Sequence, residues 1–152
     1  NGEAGDWYRL RYDLCLADAC AGLMHRALKD AAAFAGARTR GARAVISHQE
    51  VRFKLAEMLT LMQTCELLNQ RARWMLDTGD HEAATLVGCA RVFGAENAER
   101  VASDAMQITA GSGYVKGGVS ERAYRDAKGL ALAGTSVELS RMAIADELLE
   151  RY

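Results

Sequence analysis

The residues best suited to chemistry fall in two places. One is a basic run, Arg38-Thr39-Arg40-Gly41-Ala42-Arg43; the other is the last third of the chain, QITAGSGYVKGGVSERAYRDAKGLALAGTSVELS, Gln107 to Ser140. Clustered arginines can grip a phosphate, because a guanidinium is a permanent charge with a forked set of donors. The same run also reads as a solvated basic turn. Gln107 with Gly111 joins an amide that donates and accepts to a residue permitting close backbone approach and positive φ. A helix end followed by a glycine turn would need the same two residues. Arg125-Asp126 reads as a structural pair at a helix start, anchoring a loop by charge-assisted bonds. Thr135, with Glu138 three residues on, has the spacing of a capping box.

Other chemistries lack their residues. A carboxylate-bridged di-iron site in a helical bundle needs Glu-x-x-His, yet the residues three before His25, His48 and His81 are Gly22, Val45 and Thr78. No GxSxG, P-loop, HExxH or zinc spacing occurs, and no metal site is expected. Cys15, Cys20, Cys65 and Cys89 have no CxxC spacing and sit in apolar helical contexts, so they read as buried thiols rather than disulfides.

The elements that must position these residues are helices. The 152 residues contain no proline, alanine and leucine are abundant, and glycine clusters at a few breaks. One helix is expected from about Asp6 to Ala35, followed by a basic connection, Gly36 to Ile46. Ser47 with Glu50 should cap a second helix, whose stripe of Val51, Leu55, Met58, Met62 and Cys65 is widened by Leu59 and Leu68. It should end near Thr78-Gly79. Asp80 should cap a third helix reaching about Thr109. Four glycines interrupt Gly111 to Gly118, then a short helix spans about Glu121 to Leu130. Thr135 opens the last helix, which ends near Tyr152. No alternating strand pattern is visible. The expected fold is all-α: an up-and-down four-helix bundle with an additional short helix, in one domain spanning 1–152.

With 19 basic against 20 acidic residues, nothing points to nucleic acid or an anionic membrane. No apolar run is long enough to span a bilayer, and the chain reads as cytoplasmic. It opens at Asn1, so a fragment or a processed chain is expected.

In order along the chain stand Ala21-Gly22-Leu23, Arg26-Ala27-Leu28, Arg38, His48-Gln49, Leu55-Ala56-Glu57-Met58, Gln107-Ile108, Gly111-Ser112-Gly113-Tyr114, Arg125-Asp126-Ala127-Lys128 and Gly134-Thr135-Ser136. This series resembles the C-terminal helical domain of the acyl-CoA dehydrogenase flavoenzymes, over nearly the whole chain. The resemblance implies FAD as cofactor, with Arg38 on its pyrophosphate and Gln107 and Gly111 beside its adenosine diphosphate part, across a subunit interface. It also implies Thr135 near the flavin, an acyl-CoA or acyl-thioester substrate, and assembly as a dimer or tetramer. The family commonly has Arg-x-x-Phe-Gly where this chain has Arg38-Thr39-Arg40-Gly41-Ala42, and Ala110 replaces a frequent glycine.

The largest departure concerns the base. In the family a glutamate usually precedes the Gly-Thr pair and takes the substrate's α-proton; here that position is Ala133. Some relatives carry the glutamate on the first helix, at a position that falls on Tyr12, with Asp13 adjacent. A surface or helix-start role for those two is expected before a catalytic one. Three readings stay open. The parent is an enzyme with a base from elsewhere or an altered reaction, a silent subunit paired with an active homologue, or a non-enzymatic interaction module.

Overall fold

The structure, a computed structural model, describes residues 2–151 and the side chains of 5–150. Helix α1 (Gly2–Ala37) leads through a two-stranded hairpin, β1 (Thr39–Arg40) and β2 (Arg43–Ala44), and a 3-10 turn (Val45–Ser47) into α2 (Gln49–Thr78). Then come α3 (Ala83–Tyr114), α4 (Val119–Leu132) and α5 (Val137–Arg151). The expected end at Tyr152 lies outside the described residues. The all-α bundle stands, with one difference in proportion. The fourth rank is broken: α4 packs on α1 and α3, and α5 on α3. The hairpin was not legible as strands, since each holds only two residues. No described helix is long and apolar enough to cross a membrane.

Alanine explains the core. Ala17, Ala21, Ala27, Ala31 and Ala35 of α1 are buried, as are Ala95, Ala98, Ala102 and Ala105 of α3. Small side chains on both helices let their backbones approach; a Cβ on Gly94 would sit 3.3 Å from Cys20 Cβ. Met58, Met62 and Cys65 close the core from α2, whereas Leu59 is 48% exposed and does not widen the stripe as expected. Of the thiols, Cys20 and Cys65 are buried, Cys89 half-buried and Cys15 exposed. Burial pushes the Cys65 thiol up to about 12 and Cys20 up to about 11, the charge of Arg91 acting against burial in the second.

The helix ends correct several expectations. Gly79 does terminate α2 in the left-handed region, φ 68°. Ser47 does not cap α2: His48 occupies the N-cap without a side-chain bond, and the Ser47 hydroxyl donates backward to the Ala44 carbonyl at 2.7 Å. Asp80 accepts from the Glu82 N–H at 2.9 Å, an Asx-type turn that starts two residues before the α3 N-cap, which is Glu82. Thr135 is not the α5 cap; Ser136 is, accepting from the Leu139 N–H at 3.3 Å. Arg125 lies inside α4 rather than at its start, and pairs with Glu121, not Asp126. Glu121 in turn accepts from the Gly117 N–H at 3.2 Å, so Arg125 steadies the preceding loop through it. Those two donors hold the Glu121 carboxyl below its usual range, Arg125 foremost.

Helix α3 breaks at Ala110, φ 53° and ψ −145°. The positive φ therefore falls on the alanine, not on Gly111, whose φ is ordinary. Hydroxyls lock the break: Thr109 donates to the Ala105 carbonyl at 2.8 Å and Ser112 to the Thr109 carbonyl at 2.6 Å. A Cβ on Gly113 would fall 1.9 Å from Thr109 Oγ1, so only glycine fits there. Ala110 sits close to a backbone region essentially reserved for glycine, a strain of about 1–3 kcal/mol. Ala110→Gly relieves it against roughly 1 kcal/mol of added chain entropy. The expected net effect is stabilisation by up to about 2 kcal/mol, a rise of roughly 2–4 °C in Tm per kcal/mol. A lower Tm by calorimetry would show that the backbone at 110 carries no such strain.

Candidate functional site

Two of the candidate ligand residues meet in one groove. Where α1 runs into the hairpin, and against the break in α3, a groove of about 610 Å³ is lined by Phe34, Arg38, Arg40, His48, Lys54 and Gln107, with Ala110 in its wall. Each is placed for a local reason. Arg38 follows the last turn of α1, its N–H on the Phe34 carbonyl at 3.0 Å, and its own carbonyl accepts from Val45 N–H at 2.8 Å across the hairpin. The hairpin turns at Gly41, φ 65°, and sets Arg40 directly opposite Arg43. Like charges so placed repel, and an anion in the groove would relieve that.

An aromatic ring meets Arg38 from before it in the sequence, not after it. The Arg38 guanidinium lies 5.5 Å from the centroid of the Phe34 ring, within cation–π range. Lys54 is held by Asp104 of α3, whose carboxylate raises the ammonium above its usual range. Gln107 is exposed on the last regular turn of α3. Gly111 follows Ala110, with open space where a Cβ would be.

Thr135 lies elsewhere. It belongs to the turn joining α4 to α5, against the N-terminal half of α1. Asp13 and Arg38 are about 37 Å apart along the α1 axis at 1.5 Å per residue. The Thr135 hydroxyl donates to Asp13 Oδ2 at 2.8 Å, and its N–H to Oδ1 at 3.3 Å. Asp13 is 4% exposed, which overturns the surface role expected for it. Tyr12 stays 54% exposed. Between Ala133 and Thr135 the chain must be glycine: Gly134 has φ 66°, and a Cβ there would meet Leu16 Cδ1 at 2.7 Å and Tyr12 Cε1 at 2.9 Å.

The residue that sequence reasoning missed is Arg91. It is fully buried in α3, and its Nη2 donates to the carbonyls of Leu130, Ala133 and Ala131, at 2.7, 2.8 and 3.3 Å. The signal existed. Arg91 lies four residues after Val87, four before Ala95 and seven before Ala98, so a helical wheel puts it on the core face. Among the described residues no cluster of His, Cys, Asp or Glu could hold a metal ion.

Residues 13–149 match the sequence family described as "Acyl-CoA dehydrogenase, C-terminal domain". The chain is 34% identical over 129 residues to a 3-(aryl)acrylate reductase of Clostridium sporogenes, covering 85% of this chain and 34% of that protein. It is 31% identical over 137 residues to the mitochondrial short-chain specific acyl-CoA dehydrogenase of Bos taurus, covering 90% and 33%. Among solved structures, acyl-CoA dehydrogenase from Geobacillus kaustophilus superposes with a TM-score of 0.88 at 28% identity, over 92% of this chain and 37% of that one. Butyryl-CoA dehydrogenase from Megasphaera elsdenii superposes at 0.92 with 24% identity, over 97% and 39%, a likeness of fold. The chain thus spans about a third of the length of the curated relatives it matches. By sequence and by fold, it belongs to the acyl-CoA dehydrogenase family, in the part that forms the C-terminal domain.

Proposed function

We propose that this chain is the C-terminal domain of a longer, cytoplasmic FAD flavoprotein of the acyl-CoA dehydrogenase type. The observation that carries this reading is the shared groove. Arg38 and Gln107, distant in sequence, line it together with Arg40, Lys54 and Phe34. Cationic and amide donors beside an aromatic face suit the pyrophosphate and adenosine of a dinucleotide. In this reading Arg38 bonds the pyrophosphate and Gln107 the adenosine diphosphate portion, with Gly111 allowing close approach. Bound FAD would supply the two-electron acceptor.

The α4–α5 turn is then one wall of an acyl-thioester pocket. Proton removal there needs a carboxylate facing the substrate's α-carbon. Ala133 offers none, Asp13 is buried and bonded to Thr135, and Tyr12 carries a phenol in place of a carboxylate. Thr135, its proton given to Asp13, presents only acceptor lone pairs outward. The parent therefore either takes a base from elsewhere, runs an altered reaction, or is a silent subunit beside an active homologue.

Apolar side chains also remain uncovered: Phe53, Leu67 and Trp74 on α2, and Leu139, Met142 and Leu149 on α5, each more than half exposed. Such surface supports self-association as a dimer or tetramer. It equally favours a second reading, a non-enzymatic oligomerisation module.

Three substitutions in the parent separate these readings. Arg38→Ala weakens FAD retention by about 1.5–3 kcal/mol, roughly tenfold to a hundredfold in affinity. Arg43→Ala, outside the groove lining, weakens it far less; equal flavin loss on gel filtration would remove the case for Arg38. Ala133→Glu raises acyl-thioester oxidation by about 10²–10⁴-fold, the worth of a placed general base, read by dye reduction. Rapid oxidation by unsubstituted protein would make the silent site wrong, and absence of flavin from both would leave the module.

A further inference from the structure

Among the described residues Arg91 is the one buried cation, with no exposed surface, in a helix whose other buried residues are uncharged. Among the described residues it has no carboxylate within ion-pair distance, and its Nε and Nη1 have no hydrogen-bond partner. Burying a charge in this way is costly, and apolar replacement of buried charges is often neutral or stabilising. A charge kept in the core with two of its nitrogens unpartnered marks a place where something else is gained.

What is gained is visible in its contacts. The three carbonyls that Arg91 binds belong to Leu130, Ala131 and Ala133. The first two lie in the last turn of α4 and the third is its C-cap, φ −80° and ψ 148°. Helix-terminal carbonyls lack intrahelical donors, and a cation beside them is favoured by the helix dipole. All three bonds come from one nitrogen, Nη2, and its rigid place in the planar guanidinium fixes their direction, which an ammonium on a flexible stem does less well. From the other side, Asp13 takes both polar hydrogens of Thr135. The turn is thus held before Gly134 by α3 and after it by α1.

We propose that Arg91 is a positioning residue that sets where the side chain at position 133 stands. The inference rests on the reading of that turn as a pocket wall, and deepens it. Position 133 owes its placement to a charge fixed in the core of α3, whichever residue occupies it. The permanent positive charge behind the turn also favours negative charge developing on a group in front of it.

The test has two arms that fail separately. In this 152-residue chain, amide hydrogen exchange is compared among unsubstituted protein, Arg91→Met and Arg91→Lys. The Ala133 N–H, bonded to the Gly129 carbonyl at 3.1 Å, and the Thr135 N–H are the reporters. Arg91→Met is expected to leave α1 and α3 protected while exchange at 133 and 135 quickens by about tenfold or more, a local opening. Arg91→Lys, which keeps the charge on a flexible stem without the rigid guanidinium plane, falls between. Unchanged exchange at the turn in both variants overturns the proposal, as does uniform loosening of all helices in both. In the flavin-loaded parent carrying Ala133→Glu, adding Arg91→Lys is expected to lower kcat by about tenfold or more with KM little changed. Equal kcat would show that the turn does not orient position 133. Inactivity of Ala133→Glu with Arg91 intact counts against the dehydrogenase reading, and leaves the exchange result to decide Arg91.

Discussion

A guanidinium and a carboxylate, both out of water, hold the one break in the bundle's fourth rank. Without that break α4 and α5 would read as one helix, and the Ala133-Gly134-Thr135 turn would not exist. Arg91 fixes the carbonyls that end α4, and Asp13 fixes the N–H and hydroxyl that precede α5. Gly134 is pressed against Tyr12, Asp13 and Leu16 with no room for a side chain. The alanine-lined contact of α1 with α3 makes this possible, because it places Asp13 and Arg91 on two helices whose backbones approach closely. A bulkier seam would hold both charges away from the turn.

The opposite end of α1 follows a different logic. There the chain leaves the helix at Arg38, turns through a minimal hairpin and opens a groove toward α3. Charges gather around it, Arg38 and Arg40 exposed and Lys54 half-buried, with Asp104 pairing the last. One helix thus carries a dry polar lock near its start and a solvated cationic groove at its end.

Much of this was legible from residue types and spacing. The helix count, the Gly79 stop and the end of regular α3 at Thr109 all follow from propensity and glycine placement. Arg38 and Gln107, read separately, share a groove. The misses have physical causes. Ser47, Asp80 and Thr135 were assigned caps on spacing alone, but a hydroxyl or carboxylate takes whichever partner tertiary packing brings, and Asp13 outcompeted the backbone for Thr135. Arg91 was passed over because arginine is usually solvated, although its helical phase put it in the core. Phe34 was invisible as the groove's aromatic because the expected one follows the arginine in sequence. Ala110 carries a backbone twist normally left to glycine, and no local rule places it there.

The most direct measurement is a crystal structure of the flavin-loaded parent protein at a resolution that shows the phosphates. The expected result is the Arg38 guanidinium bonded to the pyrophosphate of one FAD, held across the subunit interface, with Gln107 on its adenosine side, and position 133 facing the flavin of a second FAD at the other end of α1. A pyrophosphate held without Arg38, or an α4–α5 turn facing solvent away from the flavin, would contradict it.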